Sequence, residues 1–342
     1  MVANARLHVL FLRAVHMSNV SLRQPSPESI RRYKELWLPL VAASSPDMEL
    51  IPPIDVAWLW HCHRLAPYDY GRYVRSEFKI APRYLESNPP FALQCPEGAV
   101  IGHDNNNDVA QHTRDLWSNT YADEPFFLQE QANEQPDDIN YGMVQGFDLV
   151  GSCERQATFL WQVTQERFGD EEFLEDGVEA YYKFLKLRST EAGKKQIIVP
   201  TYQIDLMWHT HMLSSLAGYD DDCKKITGRT LHHDDSLNDR SEGSTLNRSF
   251  DATKQMWKDM YDEEYVVVGG MYRGEPPKEY YSREWAIAHL EGGGGESKWP
   301  ILHPDIEGTL VNRHRIMGAS STGKNDDLEV VPGELDGGGG GG

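Results

Sequence analysis

One short pattern, Trp-His-x-His, occurs twice and limits the fold more than any other feature. Residues 51–65 read IPPIDVAWLWHCHRL and residues 199–213 read VPTYQIDLMWHTHML. Aligned without gaps, both follow [IV]-P-x-x-x-[VI]-x-x-[LM]-W-H-x-H-x-L at an offset of 148. Trp and His are rare residues, so chance seldom produces such a match. Self-similarity at this spacing is the signature of a repeated structural unit. Weaker matches keep the same order. Phe11-Leu12 and Val15 align with Phe159-Leu160 and Val163 at the same offset. Tyr33-Lys34, Leu36 and Leu38 align with Tyr182-Lys183, Leu185 and Leu187 at an offset of 149. Thr113, Leu116-Trp117, Tyr121 and Glu124 align with Thr253, Met256-Trp257, Tyr261 and Glu264 at 140. The matches predict two tandem copies of a unit of about 140 residues, an ordinary domain size. The copies are expected over 5–130 and 152–275, joined by a linker over 131–151.

The local patterns predict a mainly α fold. Ser26-Pro27-Glu28 offers a cap, a first-turn proline and an acid at the positive end of a helix. Ile30, Tyr33, Leu36-Trp37 and Leu40 then recur at helical spacing. Phe173 to Leu187 and Asp251 to Tyr261 behave similarly. Strand signals are few; Tyr265–Val268 is β-branched and predicts one short strand ending at Gly269-Gly270. From 276 to 342 the chain becomes Gly-rich and acidic, with glycine runs at 292–295 and 337–342. Such a segment buries little apolar area and is expected to be mostly flexible. Trp285, Trp299 and Ile301 point to contact between 276–305 and the globular part.

Charge narrows the function classes. Thirty-three basic against fifty-three acidic side chains give a net charge of −20. Binding to nucleic acid needs clustered Lys and Arg, and docking on anionic membranes needs the same. Neither partner is expected. Lys183, Lys186, Arg188, Lys194 and Lys195 form the one notable basic cluster, and a solvated helix face explains it equally well. No stretch approaches the roughly 20 apolar residues of a membrane span. Leu7–Leu12, interrupted by His8, is too short and too polar for such a span, and as a signal peptide it lacks a clean apolar stretch and a small-residue cleavage site. The four cysteines, Cys62, Cys95, Cys153 and Cys223, form no CxxC pair. A soluble protein in a reducing intracellular compartment, cytoplasmic or nuclear, is expected.

As a helix starting at Pro53, the first motif places Val56, Leu59, Trp60 and His63 on one face. The second gives Ile204, Met207, Trp208 and His211. His61 and His209 then point elsewhere, because two positions along a helix is about 200° of rotation. The alternation Val56, Trp58, Trp60 also fits a strand, on which HxH would chelate. Trp60 and Trp208 are expected to be core anchors, and their repetition predicts tightly docked units. The motif histidines His61, His63, His209 and His211 have two readings. One is a buried imidazole hydrogen-bonded within the core, a polar specificity element. The other is a ligand for a transition metal such as zinc, which needs three or four donors. The second unit supplies further candidates, His232 and His233 with Asp234 and Asp235, so a metal set of His209, His211, His232 and His233 is the alternative. Asp205 stands one turn before His209 and could orient it as a base. The first unit has Ala57 there, and an ordinary helical pair explains Asp205 equally. GxSxG, P-loop and GxGxxG patterns are absent from the sequence. No catalytic residue is assigned.

Several segments resemble a known family. RRYKELWLPL at 31–40, PPIDVAWLWHCHRLAPYDY at 52–70, VPTYQIDLMWHTHML at 199–213, GRTLHHDD at 228–235 and MWKDMYDEEYVVVGGMYRG at 256–274 are similar to the glycine-rich domain-containing protein-like (GRDP-like) family. The resemblance covers about residues 7–275. It implies a link to stress, growth and hormone responses, as in plant members, some of which carry an RNA-recognition module. The K/R-G-F/Y motif of that module is absent here, so RNA binding is not carried over. The family's histidine motifs fall on His61, His63, His209, His211 and His232–His233 without a role attached. The expected function is a non-enzymatic scaffold or regulatory interaction protein with a protein partner. The alternative is a metal-binding protein or metal-dependent enzyme.

Overall fold

A helix over Val2–Met17 opens the chain and sets the plan of the molecule. Residues 8–16 are buried without interruption, which requires partners on every side. The computed structural model describes residues 1–86, 89–102, 106–128, 141–233, 239 and 241–291. In it the first helix packs chiefly against helices Tyr202–Ser214 and Glu171–Ser189 of the second half. The helix Leu149–Val163, which aligns with it in sequence, packs chiefly against Ile54–Arg64 of the first half. Each half thus lends its leading helix to the other. Hydrogen bonds fix the exchange. His8 Nδ1 and Thr210 Oγ1 are 3.0 Å apart, and Asn4 Nδ2 donates to Ser214 Oγ at 2.9 Å. In the other direction Ser152 Oγ donates to Cys62 O at 3.4 Å, and the Arg64 guanidinium donates to Leu213 O. One cluster of buried apolar side chains runs from Ala5 to Tyr265.

Both WHxH segments are helices, so the strand alternative is set aside. The first spans Ile54–Arg64 after an extended Pro53; the second spans Tyr202–Ser214, with the Thr201 side chain accepting from Ile204 N at 3.3 Å. Every residue of Ile54–Arg64 is buried. The one-face expectation understates this burial, because the helix is central and packs against others all round. Such a helix carries little amphipathic signal.

The remaining elements follow local chemistry. Ser26 Oγ accepts from Ser29 N at 3.1 Å and caps the helix that starts at Pro27. This helix continues through a π turn, Arg32–Trp37, into Leu38–Ala43. Pro39 has no N–H to give the carbonyl four residues back, and the turn widens ahead of it. Arg32 is fully buried on Asp55, Nε to Oδ2 3.0 Å, and also donates to Pro125 O and Phe126 O at 2.6 Å each. Two minimal hairpins, Leu93–Gln94 with Val100–Ile101 and Met143–Val144 with Phe147–Asp148, are the only paired strands among the described residues.

Three expectations need comment. Tyr265–Val268 forms no strand. Tyr265 is buried, its hydroxyl donating to Val199 O at 2.7 Å, and the chain turns with Gly270 N donating to Val267 O. Among the described residues no strand pairs with it. The expected linker holds the second hairpin and the start of Leu149–Val163 over 141–151, while 131–140 lies outside the described residues. Of the expected flexible tail, 276–291 lies against the first helix. His16 Nε2 donates to Tyr280 O at 2.5 Å, and Trp285 stacks near His16. Residues 292–342, with Trp299, Ile301 and the glycine runs, lie outside the described residues. Among the described residues no helix is long and apolar enough to cross a membrane.

Candidate functional site

The two WHxH helices carry the same internal bonds. Trp60 Nε1 donates to Tyr70 Oη at 2.9 Å, and that hydroxyl donates to Leu85 O at 2.5 Å. Trp208 Nε1 donates to Tyr219 Oη at 2.8 Å, and that hydroxyl donates to Leu231 O at 2.7 Å. His63 Nδ1 is 2.9 Å from Tyr33 Oη, and His211 Nδ1 is 3.1 Å from Tyr181 Oη. Ile51 N and Val199 N each donate to a threonine hydroxyl, Thr113 and Thr253, at 3.1 Å. In this bonding the place of Tyr33 is taken by Tyr181, at the main offset, while its neighbour Tyr182 is exposed.

The motif histidines therefore divide. His63 and His211 serve as partners of buried tyrosines. Burial lowers the His63 pKa to about 3. The His211 pKa is also lowered by burial, partly offset by Asp222, whose Oδ2 is 3.4 Å from Nε2. His61 and His209 face the seam between the halves. His61 stacks on Phe11 and Trp58 and lies 5.1 Å, ring centre to ring centre, from His8. Burial drives the His61 pKa well below 6.5, with His8 and Arg64 adding to the effect. Its Nε2 is buried without a hydrogen-bond partner.

His209 meets different company. Its Nε2 is 2.9 Å from His233 Nε2 and 3.5 Å from Asp205 Oδ1, and His233 Nε2 is 3.9 Å from the same oxygen. Burial, then His233, His8 and His61, hold the His209 pKa well below its usual value. The ring is therefore neutral at physiological pH, the form that ligates metals. His233 Nδ1 donates to Leu65 O at 3.2 Å. A carbonyl can only accept, so Nδ1 keeps the proton and Nε2 of the neutral ring presents its lone pair. Asp205, His209 and His233 are the one group of three potential ligands within mutual reach among the described residues.

This trio lines an open cleft of about 980 Å³. Its walls come from the second half alone, including Phe159, Tyr202, Trp208 and Phe250. Exposed Ile197 and Tyr272 stand on the rim. Of the four motif histidines, only His209 lines this cleft. His232 lines it too, but it is exposed and stacks near Tyr68, ring centres 4.9 Å apart, away from the trio. Asp234 and Asp235 lie outside the described residues. Trp60 and Trp208 are both buried. The basic cluster is largely engaged: Lys183 pairs with Glu179 and Glu263, Lys194 with Glu191, and Lys186 lies over Tyr182.

One participant escapes the sequence reading. His8 carries no repeat signal, since Gln156 stands at the corresponding place. Asp205 was visible as an i, i+4 partner of His209. The absence of an equivalent in the first unit argued against it, yet that asymmetry is what makes the second half distinct.

These features define a mainly helical module with a buried histidine framework and one open cleft. The chain belongs to the glycine-rich domain-containing protein-like family, whose model matches residues 94–217. It is 34% identical over 319 residues to the Arabidopsis thaliana protein named Glycine-rich domain-containing protein 2, covering 90% of this chain and 39% of that protein. It is 33% identical over 291 residues to Glycine-rich domain-containing protein 1 of the same plant, covering 81% of this chain and 34% of that one. The chain thus spans little more than a third of the length of these relatives. No solved structure matches it.

Proposed function

We propose that the chain is a non-enzymatic, intracellular interaction module that receives a segment of a protein partner in the cleft of its second half. The observation that carries this reading is the cleft itself. At about 980 Å³ it lies at the upper end of ligand-sized pockets. Its lining mixes apolar side chains with both signs of charge, Glu154, Arg155 and Glu275 among them. That mixture suits a peptide, with apolar anchors and polar rim contacts. The recurring Trp–Tyr–carbonyl, Tyr–His and Thr–amide bonds support a tandem duplication over 5–130 and 152–275. In this reading the first copy is the rigid support and the second is the receiver. A regulatory role, stress- or growth-related, belongs to the same proposal; the relatives' names assign neither a role nor a partner.

Peptide display against the full chain tests the proposal, with Ile197→Asp and Tyr272→Asp as counter-selection. Enriched peptides should bind the wild type and lose at least about tenfold in affinity to both variants, as for central contacts of an interface. Selection that yields no binders, or only binders indifferent to both substitutions, would overturn it.

A further inference from the structure

The trio at the cleft has the geometry of a metal site. The three ligand atoms form a triangle with sides of 2.9, 3.5 and 3.9 Å. The circle through the corners of that triangle has a radius of about 2.0 Å, within the zinc–imidazole and zinc–carboxylate distances. One point near the plane of the three atoms is therefore at bonding distance from all of them. The rings point the same way. His209 and His233 are nearly perpendicular, at 88°, and their separation grows from 2.9 Å at Nε2 to 4.5 Å at the ring centres. Extended symmetrically, the two rings aim at a point about 2 Å beyond each nitrogen. A straight hydrogen bond between them would set the centres roughly 5 Å apart. The observed arrangement is bent toward a shared focus instead.

The tautomers agree. His233 already holds its proton on Nδ1 through Leu65 O, the outer bond that metal-ligating histidines characteristically make. His209 Nδ1 is buried with no hydrogen-bond partner. Moving its proton there from Nε2 breaks no bond on that side of the ring.

We propose that Asp205 Oδ1, His209 Nε2 and His233 Nε2 bind one divalent transition-metal ion of the zinc type. Two nitrogens and one oxygen are a known donor set for such ions, and three protein ligands leave a coordination position open. All three residues line the cleft, so the open position belongs to it and would accept a carboxylate, imidazole or water from whatever enters. Among the described residues the site exists only in the second half. The first has Ala57 in place of Asp205, and His61 is enclosed by Phe11, Trp58 and His8. The inference goes beyond the interaction reading and does not depend on it.

The test uses the full chain without a polyhistidine tag. It is stripped with chelator and titrated with Zn²⁺, and with Co²⁺ read by visible absorption. One equivalent should bind, with cobalt bands of tetrahedral character. Asp205→Ala, which places there the residue of the first WHxH helix, Ala57, and His233→Gln should each weaken binding at least about 100-fold while keeping the wild-type circular dichroism. His232→Gln should bind as wild type. If His233→Gln does not fold, Asp205→Ala decides alone. No stoichiometric binding, unchanged affinity in Asp205→Ala, or equal loss in His232→Gln would overturn the assignment. None of these readouts involves a peptide, so failure here is separate from failure of the interaction reading.

Discussion

The Trp–Tyr–carbonyl relays offer the sharpest check on what holds the two WHxH helices in place. Tyr70→Phe removes one oxygen and leaves the ring. Trp60 Nε1 then loses its acceptor and Leu85 O loses its donor, bonds of 2.9 and 2.5 Å. Tyr70 is fully buried and Trp60 nearly so, so water does not readily take the oxygen's place. A buried polar group left without a partner costs about 1–3 kcal/mol. Two such groups give a loss of roughly 2–5 kcal/mol after partial relaxation. Tyr219→Phe breaks the equivalent bonds to Trp208 and Leu231, at 2.8 and 2.7 Å, and should cost a similar amount. Tyr68→Phe is the control. Its hydroxyl also donates to a backbone carbonyl, Thr230 O at 2.9 Å, but its side chain is 47% exposed. Water replaces that bond, and the loss should stay below about 1 kcal/mol. Urea unfolding followed by tryptophan fluorescence measures all three, with thermal melts beside it. A loss in either buried variant no larger than that of Tyr68→Phe would refute the reasoning.

Other perturbations test the rest of the framework. Burial holds the His8 and His63 pKa values near 3 and His16 near 4, against 6.5 in an unfolded chain. Between those values the unfolded state binds more protons, so stability is fully present above pH 6.5 and falls as pH drops toward 4. Each of these histidines contributes up to about 1.4 kcal/mol per pH unit in that window. The urea midpoint should therefore fall steeply below pH 6.5, and a flat profile would contradict neutral burial. Asp55→Asn strips the buried Arg32 of its counter-charge and should cost about 3–5 kcal/mol; a value under about 1 in urea unfolding would mean the carbonyls of Pro125 and Phe126 suffice. Trp60→Ala should also cost about 3–5 kcal/mol, since it empties a buried site against Trp37 and removes the donor to Tyr70 Oη. A negligible shift in melting temperature would show that the anchor is dispensable.

Much of this was readable in advance, where the signal was local. The Ser26 cap, both WHxH helices and the Asp205–His209 pair lie within a turn or two of chain, and side-chain period and capping chemistry reach that far. The like bonding of Tyr33 and Tyr181 is hidden in the sequence, because Tyr181 and Tyr182 stand side by side and only burial tells them apart. The choice of His233 over its neighbour His232 had the same obstacle. His8 was beyond reach, since its partner Thr210 lies 202 residues away and no pattern in either segment announces the other. Tyr265–Val268 has strand composition but no neighbouring strand, a matter of tertiary context that overrides propensity.

The exchange of leading helices has a consequence for how the chain is made. Val2–Met17 leaves the ribosome ahead of its docking site on Tyr202–Ser214, which is about 200 residues behind it. At roughly 5–20 residues per second, that is a wait of about 10–40 seconds. During this interval Val9, Phe11, Leu12 and Val15 have no final seat. Leu149–Val163, by contrast, emerges after the helix that receives it and can dock at once. Until its docking site is made, the newborn first helix keeps apolar side chains in water. The two halves close on each other only when the second WHxH helix has been translated.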